Sequence, residues 1–397
     1  MPAGKGARPE TIGICAPADP HLLAQAVGQD PAGVPSGLGG TPINWLCAEL
    51  VRRGWQVNLY TVSRDISAEC SFDWGSLRVH VGPCRTRHLA RNLYRPEIAS
   101  MRRLIERSPS SMIHAHWTYE FALAALATGI PTLVSIHDLP WRVLANFRDM
   151  HRAARLLMSY QVAVRGKHFT AVSEDAARHF RRFLKPGAQI DVVPNGLPDA
   201  VLEVGKNVRA CGDGAVFATV LQGWNRLKNP SAALQAFKIV RRKLPEARLL
   251  MFGYDFEPGG VAEHWAKQHV MESGVTFVGA LPNSELLRRM SREAEILVHP
   301  SLDESFCMAA AEAMALRKPV IAGLRTPGVR EVLGYGTAGL LVDVKDPEAI
   351  ADAMLRLAQD AGFRARVADA GYERVSQLYR LETVVAQYEH LYRRILQ

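Results

Sequence analysis

The chain has 397 residues, 48% of them hydrophobic and 22% charged, with a formal net charge of +9. That length suits two domains of roughly 100–200 residues each, and the composition excludes a disordered, collagen-like or low-complexity chain. No apolar stretch approaches the roughly 20 residues needed to cross a bilayer, and the first 30 residues lack the apolar run of a secretory signal, so a cytoplasmic protein is expected.

The charge is unevenly placed. Residues 1–198 hold 23 Lys+Arg against 15 Asp+Glu, whereas residues 199–397 hold 25 against 24. A basic first half is compatible with nucleic acid, an anionic membrane surface or a phosphorylated substrate. The six cysteines (Cys15, Cys47, Cys70, Cys84, Cys211 and Cys307) form no C-x-x-C and have no His-spaced partner, so neither a disulfide framework nor a zinc site is suggested.

Short β-branched runs alternate with helical patterns from end to end, which predicts an α/β chain with parallel sheets. In chain order the first half gives strands at Thr11–Ala16, Gln56–Val62, Leu77–Val81, Met112–Ala115, Thr132–Ile136, Phe169–Val172 and Asp191–Pro194. Between them fall an amphipathic helix at Ile43–Arg53 and a helix opened by Ser173 that runs to about Leu184. The polar stretch Val204–Gly214 reads as a boundary, after which the pattern restarts. Strands follow at Ala215–Leu221, Arg248–Phe252, Thr276–Gly279, Ile296–His299, Val320–Ala322 and Leu340–Val342. Helices are predicted at Ser231–Leu244, Ser284–Met290, Phe306–Leu316 and Pro347–Gln359, and the chain closes in helix interrupted near Ser376–Arg380.

The segment from Pro300 to Ala315 carries the most chemistry. A strand ends at His299, a loop carries Glu304 and Ser305, and a helix opens near Phe306 with Cys307, Met308 and the small Ala309–Ala311. A helix start at the carboxyl end of a parallel strand favours an anion such as a diphosphate. Glu312 lies about 9 Å further along that helix at ~1.5 Å per residue. There it could accept hydrogen bonds from a ribose diol while Glu304 meets sugar hydroxyls. The alternative is a pair of ordinary solvated acids.

This arrangement, with the E-A-M-A helix, Lys318-Pro319-Val320-Ile321-Ala322 and the later G-V-R-E-V-L and G-T-A-G-L-L-V segments, resembles the donor domain of the retaining glycosyltransferases of family 4. The resemblance spans nearly the whole chain and implies the GT-B fold: two Rossmann-like parallel-sheet domains facing a central cleft. It implies an acceptor-binding domain at residues 1–198, a nucleotide-sugar domain at 212–378, and a final helix at 379–397 packing back on the first domain.

Other segments take their roles from that resemblance. The glycines Gly37, Gly39 and Gly40, without a P-loop Lys, would border the diphosphate and the acceptor. Gly223, Asn225, Arg226 and Lys228 close the first strand of the second half, where cations would offset charge on the leaving diphosphate. The family places Arg directly after the glycine; here Trp224 stands there, leaving Arg226 as its substitute. His114 and His116 share one strand face; a metal pair there lacks a third ligand, and the resemblance sets His116 at the reacting sugar. His137 and Asp138 would line the acceptor side.

The expected function is therefore retaining transfer of a hexosyl group from a GDP- or UDP-sugar to a hydroxyl of a glycan or lipid-linked acceptor. It needs no cofactor and no metal if Lys228, Arg226 and the helix start neutralise the diphosphate. Glu304, Lys228, Arg226 and His116 are the catalytic candidates; the donor-binding set adds Gly39, Gly40, Gly223, Asn225, Ser305, Phe306, Cys307, Met308 and Glu312. Peripheral contact of the basic first half with an anionic membrane is expected and nucleic acid is not. Two rivals stand beside this reading: a nucleotide-sugar epimerase or hydrolase of the same architecture, and a basic nucleic-acid-binding protein.

Overall fold

The computed structural model describes residues 10–207 and 215–397. Cys211 and the expected domain start at residue 212 lie outside the described residues. The chain divides into two compact units, one holding the residues up to Gly196 together with Leu381–Gln397, the other holding Leu197–Arg380.

The first unit is built on eight strands: β1 (Thr11–Cys15), β2 (Gln56–Ser63), β3 (Cys70–Trp74), β4 (Leu77–Pro83), β5 (Met112–His116), β6 (Thr132–Ile136), β7 (His168–Ala171) and β8 (Ile190–Val192). Their order in the sheet is β3-β4-β2-β1-β5-β6-β7-β8. All pairings are parallel except β3 with β4, which run antiparallel. β5 and β6 are buried at every position because helices cover both faces of the sheet, and even the polar His114, His116, Thr132 and Ser135 that they carry lie inside. Ser173 Oγ accepts from the Ala176 N–H at 3.1 Å and so starts the helix Glu174–Phe183 where the sequence placed its cap. The last helix, Leu381–Leu396, buries Val384, Val385, Tyr388, Leu391 and Tyr392 in the same core as Ile12, Ile14 and Leu46. Polar bonds fix its register: Trp55 Nε1 and Arg53 donate to Glu389 at 2.8 and 3.0 Å.

The second unit has six parallel strands: β9 (Val216–Val220), β10 (Arg248–Phe252), β11 (Val275–Gly279), β12 (Ile296–His299), β13 (Val320–Gly323) and β14 (Leu340–Val342). They are ordered β11-β10-β9-β12-β13-β14. The sheet grows from β9 in one direction through β10 and β11, then in the other from β12. The carboxyl ends of β9 and β12 thus flank the point where the strand order reverses, which is where open α/β sheets leave a crevice for ligands. In the first unit the corresponding point lies between β1 and β5.

Three sequence expectations are corrected. Residues 204–207, the head of the stretch read as a boundary, belong instead to the helix Asp199–Asn207. The edge strand β3 was not anticipated. The helix expected to open near Phe306 runs instead from Met308 to Ala315, because Cys307 takes a left-handed conformation (φ 89°) that no α-helix can include.

Candidate active site

In the second unit the loops after β9 and β12 interlock. Asn225 Oδ1 accepts from the backbone N–H groups of Leu227 and Lys228, each at 3.0 Å, and so folds the first loop into a tight turn. The Leu227 carbonyl then accepts from the Leu302 N–H at 2.8 Å and from Ser301 Oγ at 3.3 Å, tying that turn to the second loop. Asn229 reinforces the tie by donating to the Pro300 carbonyl at 3.2 Å.

This scaffold brings Lys228 to Glu304. Lys228 Nζ donates to Glu304 Oε1 at 2.6 Å, and His299 Nε2, at the end of β12, donates to the same oxygen at 3.0 Å. Burial alone would raise the Glu304 carboxyl, but the charges of Lys228 and His299 outweigh it and hold the group well below the usual carboxylate range. Burial likewise opposes charge on Lys228, and the Glu304 carboxylate reverses that effect, raising the ammonium above its ordinary value. His299 is nearly fully buried, yet Cys307 and Glu304 push it up to about 10. His299 is a site residue that sequence reasoning missed.

Glu312 occupies the second turn of the helix Met308–Ala315 and is 8% exposed. Its Oε1 accepts from Asn283 Nδ2 at 2.9 Å. Burial pushes this carboxyl up to about 7, and the Asn283 bond offsets only part of the rise. A carboxylate kept inside the protein with one neutral donor retains capacity for further hydrogen bonds, as a ligand diol would supply. The glutamates are thus both sheltered, but only Glu304 has a cation.

Ser305, Phe306 and Cys307 link the two acids. Gly328 (φ 67°) presses on them so closely that a Cβ there would stand 2.5 Å from the Ser305 carbonyl. Phe306 packs edge-on against Tyr379 with ring centroids 5.3 Å apart. Gly223 (φ 93°) opens the first loop, and the Trp224 N–H beside it donates to Asp255 Oδ2 at 2.9 Å. Trp224 itself joins Phe256 and Trp265, which explains why the position after the glycine offers no cation. Arg226 is exposed and forms no ion pair among the described residues, so it is not part of the half-buried Lys228–Glu304 cluster.

The first unit contributes a separate group at its own reversal point. Gly40 (φ 93°) precedes the helix Thr41–Arg52, and a Cβ on it would lie 2.0 Å from the Pro17 carbonyl; one on Gly37 would lie 1.7 Å from that of Ala18. Gly39 (φ 91°) has nothing within 4 Å of its Cβ position. At the end of β5, His116 Nδ1 shares a hydrogen bond of 2.9 Å with His137 Nε2, and His116 Nε2 is buried without a partner. His114 binds Tyr392 and Ser135, both at 2.7 Å. Burial, with mutual repulsion among these rings, lowers His114 and His116 well below the ordinary imidazole value and takes His137 down to about 3. All three are therefore neutral at pH 7. Trp117, with φ 65°, stacks on His137 at 4.3 Å, and Asp138 accepts from Tyr119 Oη at 2.9 Å.

Two Rossmann-like parallel sheets, one presenting a half-buried Lys–Glu pair before a helix that carries a second, buried carboxylate, define a glycosyltransferase with the GT-B fold. The chain belongs to the family 4-like glycosyltransferases. Residues 214–374 match the family described as glycosyl transferases group 1, and residues 39–196 match the glycosyl transferase 4-like domain. Among curated relatives, N-acetyl-alpha-D-glucosaminyl L-malate synthase of Bacillus anthracis is 24% identical over 309 residues, covering 75% of this chain and 78% of that protein. D-inositol 3-phosphate glycosyltransferase of Nocardioides sp. is 28% identical, covering 71% of this chain and 67% of that protein. Among solved structures, sucrose-phosphate synthase from Thermosynechococcus elongatus superposes with a TM-score of 0.76 at 21% identity, over 97% of this chain and 99% of that one. The Anabaena protein HepE in complex with UDP-glucose gives 0.67 at 16% identity, over 97% and 99%. At these identities the structural likeness speaks for the fold.

Proposed function

We propose that the protein moves a hexosyl group from a nucleotide-sugar donor to a hydroxyl of a glycan or glycolipid acceptor, with retention at the anomeric carbon. The observation that carries this reading is the Lys228–Glu304 pair beside the helix that bears buried Glu312. Lys228, together with Arg226 in a flexible reach from the loop rim, would neutralise the departing diphosphate. Gly223, Asn225 and the backbone of Ser305–Met308 would receive its phosphates, and Gly39 and Gly40 would border them. Glu304 would orient the sugar hydroxyls and Glu312 the ribose. His116 is assigned to the positive charge that develops on the sugar, and His137 and Asp138 to the acceptor. In a same-face displacement the leaving phosphate can itself take the acceptor's proton, so the protein chiefly positions groups and stabilises charge.

A uridine nucleotide is favoured over guanosine by the UDP and UDP-glucose complexes of the structurally similar HepE. The test is a calorimetric titration of UDP, GDP and their sugars into the wild type and Glu312→Ala. The reading expects a nucleotide to bind and the variant to lose most of that affinity; equal affinity in both would remove the ribose assignment. Product analysis with donor alone distinguishes a transferase from an epimerase or hydrolase.

A second acceptor class is favoured by the relatives that make a malate glucosaminide and an inositol-phosphate glycoside by name. The loop after β4 carries Arg87, Arg91 and Arg95, all exposed, and these would suit a small hydroxylated anion. Incubation with donor and each acceptor class separates the two. Peripheral contact with anionic lipid is proposed for the helices Pro140–Phe147 and Met150–Arg165, which expose Trp141, Phe147, Met150 and Val164 alongside Arg148. No helix among the described residues is long and apolar enough to cross a membrane. Sedimentation with phosphatidylserine vesicles at two salt concentrations tests that contact.

A further inference from the structure

The loop that places Glu304 also gathers two side chains, those of His299 and Cys307, to which the transfer reading gives no role of their own. One side-chain ligand atom each from His299, Glu304 and Cys307 lies within 4.8 Å of the other two. Imidazole nitrogen, carboxylate oxygen and thiolate sulfur sit about 2.0–2.3 Å from a zinc-like ion, so ligand atoms around one such ion are separated by roughly 3–4 Å. The cluster is therefore close to the spacing a single cation requires, and small side-chain rotations would complete it. His299 and Cys307 are both buried, which excludes bulk water from most of the group. His299 Nε2 already meets Glu304 at 3.0 Å, and His299 Nδ1 is buried without a hydrogen-bond partner.

We propose that His299, Glu304 and Cys307 form a three-ligand site for a thiophilic divalent cation such as zinc, and that the cation displaces Lys228 from Glu304. The thiol proton of Cys307 and one imidazolium proton of His299 pass to the buffer as the sulfur–metal and nitrogen–metal bonds form. Three protein ligands leave a fourth position open, the pattern of reactive rather than purely structural zinc sites. Lys228 is the built-in competitor: its ammonium holds the carboxylate oxygen that the metal needs, so the free protein is poised between an internal ion pair and a bound cation. Antagonism between the cation and a nucleotide-sugar donor follows as a consequence, and that consequence rests on the donor reading given above.

Cobalt(II) is the probe, because thiolate ligation gives it a charge-transfer band in the near ultraviolet. The full chain, reduced and in a buffer that does not chelate, should develop this band to one equivalent and lose it when zinc is added. Cys307→Gly, which also relieves the left-handed backbone at that position, should abolish the band while its circular dichroism spectrum stays that of the wild type. Lys228→Met should keep the band and bind cobalt about tenfold more tightly. A wild type without the band, or a Cys307→Gly protein that retains it through another cysteine, overturns the site. Nucleotide titrations with and without zinc are read separately: a wild type that never forms the cobalt band but binds nucleotide defeats the metal site alone, and a cobalt band without any nucleotide binding defeats the donor reading alone.

Discussion

Lys228 and Glu304 stand 76 positions apart in the chain and meet at 2.6 Å. Burial disfavours charge on both; the Glu304 carboxylate offsets it for Lys228, and Lys228 together with His299 offsets it for Glu304. Lys228→Ala leaves Glu304 with His299 as its cationic partner, so folding should survive with a loss of about 2 kcal/mol, less than for an entirely unpaired buried charge. Removal of a cation from the leaving diphosphate should cost more in rate, about 100-fold in kcat. Urea unfolding and steady-state kinetics on the same preparation check both; a variant that loses stability but keeps its turnover would return Lys228 to a structural role.

Glu312 makes stability depend on pH in a direction opposite to an ordinary salt-bridged acid. Its carboxyl titrates near 4.5 in the unfolded chain and about 7 in the folded protein. Between those values the native state binds more protons, so the contribution present below pH 4.5 is lost as pH rises through 7. The full swing is on the order of 3 kcal/mol. Glu312→Gln should abolish it, and at pH 8 the variant should be more stable than the wild type by up to that amount while binding nucleotide less well. Denaturant midpoints at pH 5 and pH 8 for both proteins decide the matter; parallel pH profiles would contradict it.

The histidines of the first unit work in the other sense. His114, His116 and His137 are held neutral by burial, so their charging is easier in the unfolded chain than in the folded one. Stability present above pH 6.5 should fall progressively as the solution is acidified toward the folded values. Replacing His137 by Gln, which removes one titrating ring from the group, should make thermal midpoints between pH 4 and pH 6.5 less sensitive to acid. An unchanged slope would show that other groups dominate acid unfolding.

Gly328 sits where a methyl group would collide with the Ser305 backbone. Gly328→Ala is expected to cost about 2 kcal/mol or more, because neither the left-handed φ nor the contact can relax without moving Ser305 and Phe306. The shift falls on the segment assigned to the diphosphate, so nucleotide affinity should drop together with the melting temperature. Calorimetry showing native affinity in a destabilised variant would dissociate the two.

Much of this was legible from residue order. The short apolar and β-branched runs of β5, β6 and β12 marked strands of an α/β chain, and the pair Glu304 and Glu312, set on a loop and the helix after it, was picked out as the candidate donor site before any coordinates. What remained hidden depended on contacts between distant segments. Gly205 made residues 204–207 look like part of a boundary, yet it lies in a helix where a Cβ would come within 1.8 Å of the Ala315 carbonyl, so the glycine serves close packing. β3 was missed because its alternate positions face solvent and its only strand partner is β4. His299 read as the last residue of a buried strand, and its spacing from Cys307 fits no metal motif. Only the fold of the intervening loop brings the two together.

The glycine segment before Thr41 has a further bearing on kinetics. At Gly37 and at Gly40 it lies backbone against backbone on the turn after β1, with no room for even a methyl group at either place. Pinned twice within four residues, it has no slack with which to flap. Whatever molecule arrives there meets a contour decided in advance, and the ordering entropy usually surrendered on capture has already been surrendered in folding.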